Sequence, residues 1–576
     1  MSETVRAHTQ GRSSIGGSAL LRPRGILRRA ACLALAVLVA ALLQVALAAL
    51  APGALSGAPA NLPSASANLA YADTAQGTTP AAFSQNSLTV SGLEQDDKVA
   101  IYQVVSTTCS TDNAMQSDFT DAVKAALAKN GSTLTFNDYK SATQDADIAA
   151  NAQTIAAAVT AQSVQATDIQ PGDTAGTATF TNLAAGQYLI VVQNSTATVG
   201  TRVYQPIIQS VEPTASTGGD GTWQASAATF DITTAKYTTV EIAKQTSADG
   251  ITWSTQTNRV GMGRRAYFRL MTVIPTNYAL DTNDTRTMYL VDGLAKGLTF
   301  DGPDTLSVTV GGTTLTEGTD YTVLDATSFV QQFDGESLDT GAAIKLSSSV
   351  LRAYAGQAVT VTYRATVNSD ARALTCDTNM APARLVFAPN TYTPLTAGDL
   401  SDFQVSEPAV AYVVVYRITV NKQDAQGNAL AGAQFQILNA EGTAVTTFDG
   451  TSVMDADGTV VDTPQDKSTF TSQPLPAGTY TVHETKAPDG YALAEDQQVT
   501  LEGAEDHHGS ISTVTIKDVK LSAVIGSDAA DTTGSPLNSG VPTLGDAQTA
   551  ACVVLGVLAM AAALVGLARN RRKKRG

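Results

Sequence analysis

The 576-residue sequence predicts a mostly-β protein made of tandem β-sandwiches between two targeting segments. Three observations carry this. From about 85 to 520, short runs of Val, Ile, Thr, Tyr and Phe alternate with polar residues, the period of half-buried strands. Clusters of Gly, Asp, Asn and Pro separate those runs at sandwich spacing. The chain carries 36 basic and 52 acidic residues, and only 4 Cys, 4 His and 2 Trp. Those counts argue against a zinc module, a disulfide scaffold and a nucleic-acid binder. Without residues 1–60 and 546–576 the balance is 24 basic to 50 acidic, a solvated surface that repels nucleic acid and anionic lipid.

At the N-terminus, Arg22, Arg24, Arg28 and Arg29 precede an apolar run from Ala30 to Ala51. A basic region, an apolar region and then small residues make a secretory signal, assigned to 1–60, with cleavage after Ala48, Ala60 or Ala72. The alternative is an uncleaved anchor, since the run is nearly long enough to span a bilayer.

Three blocks follow. The first, 85–232, has two helical stretches among its strands, 118–129 and 146–164. The second is 237–408 and the third 409–522, where Tyr412–Val420 and Ser512–Ile516 read as strands. Segment 523–540, rich in Ser, Gly, Thr and Asp, reads as a flexible spacer. Ala550–Ala568 is a 19-residue run without charge, followed by the basic tail 569–576. At about 1.5 Å per residue this crosses a bilayer, with the tail cytoplasmic and the body outside.

Two segments repeat weakly: Leu183–Val192 (LAAGQYLIVV) and Leu475–Glu484 (LPAGTYTVHE). Val192 and Glu484 occupy equivalent places. Tyr480, Val482 and Glu484 share one strand face, which puts a carboxyl among apolar residues. A carboxyl so placed stays protonated, because burial disfavours its charged form. The plainer alternative is a Glu at an exposed strand end.

Val541-Pro542-Thr543-Leu544-Gly545, then the apolar span and basic tail, resemble the cell-wall sorting signal of Gram-positive surface proteins, with Val541 for Leu and Leu544 for Thr. The resemblance implies cleavage by a sortase between Leu544 and Gly545 and transfer to an amine. A simple single-pass anchor is the alternative.

Residues 416–520 resemble the B-type repeat of collagen adhesins, a prealbumin-like sandwich common in Gram-positive pilins. The resemblance rests on Ile418–Asp424, Gly427–Phe435, the Glu484 segment and Thr513–Asp518. It implies an isopeptide bond between Lys422 and Asp518, promoted by Glu484, releasing water because Asp518 stands where Asn is usual. The middle block resembles the isopeptide-forming fimbrial domain, through Val240–Lys244, Tyr289–Phe300 and Ala383–Asn390. This implies Lys244 bonded to Asn390 with Asp292 assisting. Asn379 is a rival partner, and a turn role for Asp292 is the alternative. The first block resembles the N-terminal domain of the same pilins; Val192 supplies no acid, so no cross-link is expected there. Lys236, between the first two blocks, resembles the lysine through which a backbone pilin is joined to the next subunit, and an exposed junction gives an enzyme access; a solvated linker lysine is the alternative.

The chemistry is sensible for buried groups. Desolvation removes the proton of a core lysine, the amine attacks a neighbouring carbonyl carbon, and a neutral acid offsets charge on the oxygen. It is single-turnover self-modification, not enzymatic turnover. Cys109 and Cys376 either form an inter-block disulfide or remain unpaired thiols. Asp455-Ala-Asp457-Gly458 lacks the later Glu of a calcium loop, so no metal and no cofactor are expected. The expected role is the major subunit of a sortase-assembled fimbria, anchored to the cell wall. The expected partners are sortase, further copies of the subunit, peptidoglycan and a host surface ligand, with no nucleic acid. The rivals are a wall-anchored monomeric adhesin and an ancillary tip or base pilin.

Overall fold

The computed structural model describes residues 81–521, apart from 95–96, 194–199, 218–220, 235, 282–283, 334–339, 377–378 and 504–506. The signal segment 1–60, spacer 523–540, Val541–Gly545, the span 550–568 and the tail lie outside the described residues. Among the described residues no helix is long and apolar enough to cross a membrane.

Strand Lys98–Cys109 organises the first block because both its faces are apolar. Val99 and Ile101 pack with Leu88, Val90 and Phe180 of the three-stranded sheet Ala227–Asp231, Asn86–Ser91 and Thr177–Leu183. Ala100, Tyr102 and Val104 face the other way, onto Val123, Leu127, Ile155 and Val159 of the helices Asp121–Lys129 and Asp145–Ala161. Its neighbour Gly186–Gln193 is buried on both faces and so reads as a continuous apolar run. The helix expected over 118–129 starts later: Met115–Phe119 is a strand, and the Thr120 side chain caps Asp121–Lys129 by accepting from the Val123 amide. A short helix, Phe136–Ser141, opens with a Thr135/Asp138 capping box and was not expected.

The middle block faces two sheets. One orders Ile242–Ser247, Arg265–Val273, Ala358–Val367, Ser307–Val310 and Thr313–Thr314, with Leu298–Phe300 beside Ala358–Val367. The other orders Gln256–Thr257, Ala409–Val413, Met380–Phe387, Met288–Leu294, Thr340–Leu346 and Tyr321–Asp325. The run Tyr412–Val420 therefore serves two blocks. Ala409–Val413 completes this sheet, and the next strand begins at Arg417. Between them Val414, Val415 and Tyr416 are all fully buried, so alternation breaks.

Ala388–Leu395 leaves the middle sheet and enters the first block. Tyr392 packs in the helix-covered core, its hydroxyl donating to the Val192 carbonyl at 2.5 Å. Gln153 and Thr391 exchange two hydrogen bonds of 2.7 Å, and Thr160 donates to the Tyr392 carbonyl at 2.8 Å. Below the segment a buried Arg286–Asp281 ion pair lets Arg286 also donate to the Thr393 carbonyl at 3.2 Å.

In the third block, Arg417–Asp424 lies between Thr469–Thr471 and Ile511–Asp518, parallel to the latter. This sheet faces a six-stranded one containing Gln434–Leu438 and Gly478–Lys486 across a core of Ile418, Val420, Phe435, Phe448, Val482 and Ile516.

Candidate functional site: two buried lysines

Alternation in Arg417–Asp424 turns Ile418, Val420 and Lys422 inward, and in Ile511–Asp518 it turns Val514, Ile516 and Asp518 inward. Parallel register sets Lys422 opposite Ile516 and Asp424 opposite Asp518, so Asp518 is one inward step from the lysine. From the facing sheet, Tyr480, Val482 and Glu484 point into the same core. The Lys422 Nζ contacts the Asp518 carboxyl and lies 2.9 Å from Glu484 Oε1. It also sits 5.7 Å from the centre of the Phe435 ring. The Ala494 amide donates to Glu484 Oε2 at 2.8 Å and fixes the acid's orientation. Burial holds the Glu484 carboxyl above the usual range, against the lowering pull of that amide and of Lys422. Amine, acyl carbon and acid thus converge in an apolar pocket where Lys422, Glu484 and Asp518 are at most 4% exposed.

In the middle block Lys244 and Asp292 form the second pair, their side chains at most 1% exposed. Lys244 comes from the first strand of one sheet and Asp292 from Met288–Leu294 of the other. The Nζ contacts Asp292 Oδ1 and donates to the Tyr363 hydroxyl at 3.1 Å, beneath the rings of Phe268 and Tyr363. Burial pulls the Lys244 ammonium down to about 8 and pushes Asp292 up. Desolvating two charges costs several kcal/mol each, and both shifts favour the neutral amine and acid. Tyr363 is pushed well above its ordinary value by burial and keeps its proton. Tyr363 was missed in the sequence because an aromatic alternating with Val361 and Ala365 looks like ordinary core.

Asn390 is not brought to Lys244. Asp292 stands opposite Ala383, and the strand runs on through Phe387, about 13 Å further, before leaving the sheet. The Asn390 Oδ1 accepts from the amides of Tyr392 and Thr393, and its backbone bridges to Tyr204. Tertiary packing of Tyr392 in the first block carries Asn390 away. Asn379 lies four residues from Ala383 in the other direction, with its side chain hydrogen-bonded to both backbone groups of Arg372. Asp292 is within a strand rather than in a turn.

Val192 is buried in the first block's core opposite Val99, and no buried lysine occurs there among the described residues. Lys236 is half-buried rather than exposed, and burial pulls its ammonium down against the opposing charge of Asp145. Cys109 and Cys376 are not joined in a disulfide; burial, then Glu212, pushes the Cys109 thiol up to about 11. Asp455 folds back on its own turn, accepting from Asp457 and Thr459 amides, and no metal-binding cluster occurs among the described residues.

Comparison with known proteins fits this layout. Residues 416–520 match the family described as SpaA, prealbumin-like fold domain. The chain is 23% identical over 433 residues to fimbrial subunit type 2 of Actinomyces naeslundii, covering 70% of this chain and 73% of that protein. Among solved structures, the T6 backbone pilin of serotype M6 Streptococcus pyogenes aligns at TM-score 0.52 and 17% identity, over 73% of this chain and 81% of that one. The full-length major pilin SpaD of Corynebacterium diphtheriae aligns over 76% of this chain and 98% of its own, at 18% identity and TM-score 0.44. These matches bear out the mostly-β fold class, the prealbumin-like third block and the likeness to Gram-positive major pilins.

Proposed function

We infer that this chain, whose residues 416–520 match a prealbumin-like fold domain, is a structural subunit of a covalently polymerised surface fimbria. The observation that carries the reading is the Lys422–Asp518–Glu484 cluster, set across the first and last strands of the third block. With the proton resting on a carboxyl, the neutral Lys422 amine adds to Asp518 Cγ. Protonated Glu484 donates toward the carbonyl oxygen and then helps the hydroxyl leave as water. One C–N bond forms, one C–O bond breaks, and nothing is oxidised. Proximity in a packed core supplies the rate.

The three blocks, 85–232, 237–408 and 409–522, make up the body of the subunit. A sortase cleaves within Val541–Gly545, between Leu544 and Gly545, and transfers the new carboxyl end to Lys236 of a neighbouring copy or to peptidoglycan. The span 550–568 holds the precursor in the membrane until then. The chain is a substrate of that transfer and not itself an enzyme. Two experiments test this. Peptide mapping of the secreted chain is expected to yield Lys422 joined to Asp518 with one water lost; a linear Lys422 peptide overturns the cross-link. Replacing Lys236→Ala is expected to abolish the high-mass ladder of wall extracts; a ladder unchanged in that variant assigns the acceptor elsewhere. No ladder in the wild type favours the monomeric adhesin.

A further inference from the structure

The middle block holds a lysine and a carboxyl with no amide side chain brought to them among the described residues, and that changes which group is acylated. On the strands flanking Asp292, the opposite residues are Ala383 and Ala342. The next position of Met380–Phe387 sharing that face is Ala381. Small side chains on both sides leave the Asp292 carboxyl as the acyl group in contact with Lys244 Nζ, while Asn390 and Asn379 are each engaged about 13 Å or more along the strand.

We propose that Lys244 and Asp292 condense with each other into a side-chain amide, with the Tyr363 hydroxyl as hydrogen-bond donor at the reacting carboxyl. Asp292 is then the acyl partner and not an assistant to an asparagine. The reaction starts from the neutral amine and neutral acid. The Nζ lone pair forms the bond to Cγ, and the carbonyl π pair moves onto oxygen. The Tyr363 hydroxyl, 3.1 Å from Nζ, hydrogen-bonds that oxygen as charge develops. The carboxyl hydroxyl leaves with one amine proton as water, and Tyr363 ends with its own proton. No oxidant or cofactor enters. A phenol replaces the second carboxyl that Glu484 supplies in the other block, and it keeps its proton at any physiological pH.

This extends the self-cross-linking reading to a second block, and the two bonds are read from different peptides. The test is intact mass and peptide mapping of the secreted full chain. The expected result is a mass lower by two waters and a branched peptide joining Lys244 to Asp292. Tyr363→Phe, which keeps the ring packing, is expected to slow this bond on the order of 10²-fold, leaving the Lys244 peptide linear in freshly made protein. The Lys422–Asp518 peptide should be unaffected. A linear Lys244 peptide in the wild type, or Lys244 joined to an asparagine with ammonia lost, overturns the proposal. Wild-type bond formation in Tyr363→Phe overturns the role of the phenol. A missing Lys422–Asp518 peptide would count against the function proposed above and leave this inference standing.

Discussion

Lys422 lies in the first strand of its block, and its carboxyl partner lies in the last strand, parallel and in register. Lys244 also lies in the first strand of its sheet, but Asp292 is on the facing sheet, with 121 residues still to come through Val413. Similar pockets therefore join different parts of the load path. An amide at Lys422 closes the third block from entry to exit. An amide at Lys244 staples the two middle sheets together and leaves everything after Asp292 held by hydrogen bonds and packing. The lesson is that a buried lysine beside a carboxyl would supply the proposed chemistry in either block, while strand order would decide its mechanical effect.

The largest test of that difference is force. Stretching single secreted chains should extend the middle block by up to ~400 Å, from 121 residues at roughly 3.4 Å each. The third block should not extend at all between Lys422 and Asp518. A middle block that resists extension as well would break the comparison.

Heat should hardly distinguish the two bonds. Loop closure by the proposed bonds would restrict the unfolded chain by about 4.7 kcal/mol over 97 residues in the third block and by about 4.1 kcal/mol over 49 residues in the middle block. Lys422→Ala should nevertheless do more damage than Lys244→Ala, because it strands two carboxyls rather than one. Calorimetry should show the third block's transition falling by roughly 10 °C or more. Equal losses in the two variants would count against the stranded-acid argument.

Glu484→Gln separates the acid from the nucleophile. Asp518 and Lys422 remain, so the bond should form on the order of 10²-fold more slowly, read as one extra water in freshly purified protein. The middle bond should be untouched.

In unlinked Tyr363→Phe protein, Lys244 carries fewer protons when folded than when unfolded between about 8 and its ordinary 10.5. Stability should therefore rise with pH across that window. Urea midpoints measured against the Tyr363→Phe, Lys244→Met double variant check the sign. The smallest effect concerns Cys109, which should resist alkylation at pH 8 in the folded chain and react once the first block is unfolded.

The third-block cluster was legible because alternation runs unbroken through Ile418, Val420 and Lys422, and through Tyr480, Val482 and Glu484. Period-two patterning fixes which face a side chain takes, and three inward polar groups are conspicuous on apolar faces. That Asn390 stays away from Lys244 was not legible. Asn390 follows its strand by three residues, yet a long-range event, Tyr392 docking in another block, decides where it goes. Tyr363 was hidden for the opposite reason, since an inward aromatic is what a core ordinarily contains. The boundary near 414–416 was obscured because three successive buried residues carry no alternation.

Lys236 follows the strand Ala227–Asp231 and precedes Tyr237–Thr239, so it stands after nearly all of the first block. If the neighbouring copy is attached there, tension passes from that side chain into the middle block and onward, and residues 81–231 hang beside the cable as a passenger. A passenger has no need of a weld, which accounts for a valine at 192. It is free instead to vary in outline, and the surface that the fibre offers to its surroundings can change without weakening the rope.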